Sequence, residues 1–163
     1  SQKLEEAADQ LQQAEDYFDK AQLRDLLPEL LGLKAELACC QQRYIDAEDY
    51  GNDSVQLARE LEMPLEEGRS MRILGQIAQA RGDSDLAEER FQAGYDLLSD
   101  SGDDYECAKT QLFLAHLHAA QNQREAALSA LTICEPIFRR LEAKSALRDA
   151  KMLREKLAKP AVS

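Results

Sequence analysis

Between Leu74 and Leu98 the apolar positions fall at helical spacing on both sides of a break at Gly82-Asp83. Leu74 and Ile77 lead into the break, and Phe91, Leu97 and Leu98 follow it. This pattern predicts a helix, a tight turn and a second helix. Gly75 and Ala78 in the first helix, and Ala87 and Gly94 in the second, are small where two helix axes need to approach closely. One such pair cannot bury both of its faces, so the pattern calls for copies of itself.

The copies are present at a period of 40 residues. Ala87 has alanine partners at Ala7, Ala47 and Ala127, and Gly94 corresponds to Ala14, Ser54 and Cys134. Leu98 corresponds to Phe18, Ala58 and Phe138. In the first helix Gly75 matches Ala35 and Ala115, and Ile77 matches Leu37, Leu117 and Leu157. A fixed period that preserves side-chain size is the mark of a solenoid.

The size pattern resembles the tetratricopeptide repeat. Gly75, Gly82, Ala87, Phe91 and Gly94 stand at positions where that family has its small, turn and bulky residues. Ala115, Asn122, Ala127, Leu131 and Cys134 repeat them, and Ala35, Gln42, Ala47, Gly51 and Ser54 form a weaker copy. The family's aromatic positions hold Met71, Ala78, Gln111 and His118 instead, and the period exceeds the usual 34 residues or so. The extra length is expected in the connections between units. The resemblance implies an all-α, right-handed α-solenoid of antiparallel helix pairs with about eight helices. It would be one array over residues 1–163, with a lone second helix at 4–21, units at 25–61, 65–100 and 105–141, and a last first helix at 145–158.

Local signals agree with this division. Pro28 sits in a first turn, where proline is tolerated. Ser99–Asp104 reads as a loop around Gly102 with capping carboxylates. Pro136 falls inside the helix at 124–141, which predicts a kink or break near Ile133–Pro136. Lys159–Ser163 reads as a frayed tail. The array begins on a second helix and ends on a first helix. Both ends are therefore expected to expose apolar surface, suited to self-association or to continuation in a longer chain. The missing initiator Met points the same way, to an excised or processed fragment.

Charge and composition narrow the function. The net charge of −11 argues against nucleic-acid binding and against anionic membranes. No apolar run is long enough for a transmembrane helix, and the acidic N-terminus lacks a signal core. Cys39, Cys40, Cys107 and Cys134 lie in no CxxC pair and read as reduced, buried thiols of a cytoplasmic protein. His116 and His118 are two apart, on different helix faces, and make a poor metal pair. No phosphate loop or nucleophile elbow is present, so the expectation is no enzyme, no metal and no cofactor.

What remains is a binding surface. The resemblance implies that first helices line a concave groove. Carried onto this chain, that face comprises Glu29, Glu36 and Cys40, then Arg69, Arg72, Gln76 and Gln79. Lys109, Leu112 and His116 follow, and Asp149, Met152 and Lys156 complete it. The cations within this acidic chain suggest a protein or peptide partner carrying acidic groups or a C-terminal carboxylate. The competing reading is that they merely pair with Glu66, Asp103 or Asp104. Gln76 stands where the family's chaperone-tail clamp has an asparagine, so that ligand is not expected. An alternative role is a ligand-sensing or self-association segment of a larger bacterial signalling or transcription regulator.

Overall fold

A computed structural model describes residues 2–159, which form α-helices with no strand among them. The helices are α1 (Gln2–Ala21), α2 (Leu27–Cys40), α3 (Tyr44–Glu60), α4 (Pro64–Ala80), α5 (Ser84–Ser101), α6 (Asp104–Ala120), α7 (Arg124–Arg140) and α8 (Lys144–Ala158). A 3-10 turn at Arg24–Leu26 leads into α2. Pro28 and Pro64 occupy first turns, where the missing N–H is no loss.

The helices end alike. Gln22, Gln42, Glu62, Gly82, Gly102, Asn122 and Glu142 all have φ between 54° and 85°, at intervals of 20 residues. After this left-handed residue the next N–H reaches back to a carbonyl of the finished helix. Met63 donates to Ala58 (2.8 Å), Asp83 to Ala78 (3.0 Å) and Gln123 to His118 (2.8 Å). These bonds satisfy carbonyls that the helix end would otherwise orphan. Helices α3, α4, α6 and α7 each have 17 residues, while the connections between them are tight turns. The extra length expected in the connections therefore lies in the helices.

The chain divides into two compact units, one ending at Leu97 and the other beginning at Leu98, within α5. In the first unit α2 packs against both α3 and α4, and α1 covers one side of α2. Ala35, Ala38, Ala47, Val55, Ile73, Leu74 and Ile77 form its core. Gly75 receives the Phe91 ring, and Gly94 lies over the Gly68 carbonyl, 2.9 Å from where a Cβ would stand. A buried polar link crosses the same region. Ser54 Oγ is 2.6 Å from the Pro28 carbonyl and 2.7 Å from Ser70 Oγ, which in turn is 2.7 Å from the Glu66 carbonyl. In the second unit α6, α7 and α8 pack pairwise around Ala115, Leu131, Cys134, Phe138, Ala150 and Leu153. Thr110 there donates to the Glu106 carbonyl (2.9 Å), repeating Ser70 and Glu66 forty residues on.

Three expectations are corrected. Ser99–Ser101 are helical and only Gly102 and Asp103 separate α5 from α6, because Asp103 caps α6 by accepting from Glu106 N–H (2.9 Å). Helix α7 runs unbroken through Pro136. Its ring is exposed, as is Thr132, whose carbonyl loses its helical donor there, while Cys134 and Phe138 anchor the other face in the core. Both end helices expose an apolar side chain, Tyr17 on α1 (63%) and Met152 on α8 (62%), while another side of α8 is charged, with Lys144, Arg148, Lys151 and Glu155 all exposed. Of the cysteines, Cys134 is buried, but Cys40 is exposed and Cys39 and Cys107 are half-buried. The tail residues Pro160–Ser163 lie outside the described residues, and Lys159 is extended.

Candidate interaction surface

In the first unit the first helices are α2 and α4. Glu29 and Cys40 are exposed on α2 and Glu36 is half-buried. On α4, Arg69 Nη1 donates to Glu66 Oε1 at 2.7 Å, one helical turn back. This is the pairing named by the competing reading for Arg69. Arg72 is 4% exposed and so offers no solvent-facing charge. Gln76 and Gln79 are half-buried.

In the second unit the first helices are α6 and α8. Lys109, Leu112 and His116 are spaced to share one face of α6, and Asp149, Met152 and Lys156 repeat that spacing on α8. His116 Nε2 stands 3.1 Å from Asp149 Oδ1 and joins the two faces. Leu112 is 7% exposed and belongs to the core, whereas Met152 is 62% exposed. Arg72, Leu112 and Met152 occupy one repeat position, buried twice and open once. Among the described residues no ion pair holds Lys109 or Lys156. Of the other two carboxylates expected to neutralise the groove, Asp103 caps α6 and Asp104 pairs with Arg140. The second unit thus presents an exposed thioether with two uncommitted ammonium groups and a His–Asp pair.

The thiols of Cys39, Cys107 and Cys134 are biased toward their neutral form. Burial pushes the Cys134 thiol up to about 12, with Glu135 adding to it. Burial, then Cys40 and Glu36, raise Cys39; burial, then Asp103, Asp104 and Glu106, raise Cys107. Among the described residues no three His, Cys, Asp or Glu side chains gather as a metal site. No helix of the described residues is long and apolar enough to cross a membrane.

Two of the cavities in the first unit are small and lie at matching repeat positions. One of about 180 Å³ is lined by Leu74, Ile77, Ala78, Arg81 and Arg90, where Arg81 pairs with Glu48. The other, about 110 Å³, is lined by Lys34, Leu37, Ala38, Gln41 and Tyr50, the same positions one repeat earlier. Their common register makes them gaps of the helix packing.

A family model described as tetratricopeptide repeat matches residues 26–100. Among solved structures, the crystal structure of BtubC (BKLC) from P. vanneervenii is similar with a TM-score of 0.57 at 14% identity. That match covers 94% of this chain and 78% of the other, and at such identity it speaks to the fold alone. No curated protein matches the sequence.

Proposed function

We propose that this chain, whose residues 26–100 match a tetratricopeptide repeat model of a family whose repeats generally mediate protein–protein interaction, is a non-catalytic module that binds a partner protein through the faces of its first helices. The partner segment carries carboxylates, or ends in one, and brings an apolar side chain to Met152. One observation carries the reading: Lys109 and Lys156 have no ion-pair partner among the described residues, on faces that His116 and Asp149 join. An uncommitted ammonium gains more from an incoming carboxylate than one already neutralised. On the first unit Arg69, Gln76 and Gln79 form a candidate face of their own, Arg69 by exchanging Glu66 for a ligand carboxylate. Arg72 and Leu112 are buried, each beneath the face of its own unit. With four free cysteines the natural setting is a reducing compartment, the cytoplasm.

The test is capture of partners from a native lysate by the wild-type chain and by a Lys109→Glu, Lys156→Glu variant of unchanged helical circular dichroism. A protein retained by the first and lost from the second supports the reading. Equal retention by both places binding elsewhere and defeats it.

A further inference from the structure

The charge of this chain is unevenly placed. Helix α1 carries six acidic residues against two basic ones, whereas α8 carries five basic against two acidic. The acidic residues Glu5, Glu6, Asp9 and Asp16 are all exposed on α1, a helix with no fully buried residue. On α8, Lys144, Arg148 and Lys151 are exposed at spacings that align them along one side. None of these seven charges has an ion-pair partner among the described residues; Gln2 and Gln12 merely donate to Glu6 and Asp16. Each stripe extends over at least about 10 Å at about 1.5 Å per residue.

The repeat register shows what kind of surface the outer side of α8 can accept. Arg148 stands where α4 and α6 have Gly68 and Ala108, and Glu155 where they have Gly75 and Ala115. Gly68 and Gly75 are the places where Gly94 and Phe91 of the following helix press in. Arginine and glutamate there refuse an apolar helix docked in that way, so anything that docks on this side must match its charge.

We infer that the acidic outer side of α1 in one copy of this chain docks on the basic outer side of α8 in a second copy. The contact is head-to-tail, so each dimer keeps one free α1 and one free α8, and assembly continues with concentration. Its attraction comes from unlike stripes on molecules that otherwise repel each other at −11, so it is strongly salt-dependent. The stripe sits about a quarter-turn around α8 from Met152 and Lys156, at about 100° per residue. The two surfaces are thus separable by mutation.

Sedimentation velocity of the intact chain tests this. Raising salt from about 0.01 M to about 0.1 M cuts the Debye length from about 30 Å to about 10 Å, and the self-association constant is expected to fall at least about tenfold. A Lys144→Glu, Arg148→Glu, Lys151→Glu chain and a Glu5→Lys, Glu6→Lys, Asp9→Lys chain are each expected to remain monomeric. Mixed together they associate again, because each then offers the other a matching stripe. The milder Lys144→Gln, Arg148→Gln, Lys151→Gln chain weakens association and covers any folding defect in the reversed one. A wild-type chain that stays monomeric at low salt overturns the inference. So do reversed chains that assemble like wild type, or a mixture that does not assemble.

Discussion

The ring of Phe91 fills the space that a side chain at Gly75 would need: an added Cβ there would stand 2.6 Å from Phe91 Cδ1. Phe91 is fully buried and cannot swing away. One repeat on, the pair is Ala115 and Leu131, a larger residue on the first helix and a smaller one on the second. The volumes trade against each other across the helix contact. Gly75→Ala is therefore expected to lose about 1–3 kcal/mol by overpacking, despite alanine's better helix propensity. Adding Phe91→Leu to it recovers most of that loss, which a double-mutant cycle in urea denaturation would show as strong coupling.

The left-handed turn residues give a second expectation. Glu62 and Glu142 hold φ of 56° and 54°, a conformation costing a side-chain-bearing residue about 1–2 kcal/mol that glycine avoids. Glu62→Gly and Glu142→Gly should each raise stability by up to about 1 kcal/mol, offset by the greater chain entropy of glycine. Gly82→Ala, at φ 85° with open space around it, should lower stability for the opposite reason. Thermal melts of the single variants check all three.

Pro136 supplies a third. An exposed proline inside an unbroken helix leaves the Thr132 carbonyl without its helical N–H donor. Pro136→Ala restores that bond without touching the core, and should stabilise the chain by about 1–3 kcal/mol in urea titration. A destabilised variant would show that the proline shapes the packing of α7.

The cysteines predict both a reactivity order and a pH dependence. At mildly alkaline pH, iodoacetamide should label exposed Cys40 first, Cys39 and Cys107 more slowly, and Cys134 last. Cys134 titrates near 12 when folded against 9.0 ordinarily, so the folded chain holds a proton that the unfolded one has released. Its stabilising effect is complete below pH 9.0 and is lost as pH rises toward about 12. Cys134→Ala should flatten that alkaline decline, as followed by denaturation at stepped pH.

Much of the fold was legible because packing size repeats. Gly75, Phe91 and Gly94 announced a close helix pair, and the forty-residue matches placed its copies. The turns were half hidden. Gly82, Gly102 and Asn122 suit a left-handed residue, but Gln22, Gln42, Glu62 and Glu142 adopt it under the demand of the surrounding helices. Pro136 misled because local propensity yields to a face anchored by Cys134 and Phe138. The candidate surface was less legible still. Register says which helix side a residue occupies, but not whether a neighbouring side chain covers it. Arg72 and Leu112 are covered and Met152, at the same position, is not. The charged side of α8 could have been seen from Lys144, Arg148 and Lys151 at helical spacing in an acidic chain.

On the proposed reading a partner protein contacts the first-helix face around Met152. The most direct measurement places a photo-crosslinking residue at Met152 or, as a control, at Ile45, which is 76% exposed on the second helix α3. Partner protein captured from lysate is then irradiated, and the joined peptides are sequenced. Crosslinks to an acidic or C-terminal segment are expected from position 152 and none from position 45. Crosslinks from 45 with none from 152 would contradict it.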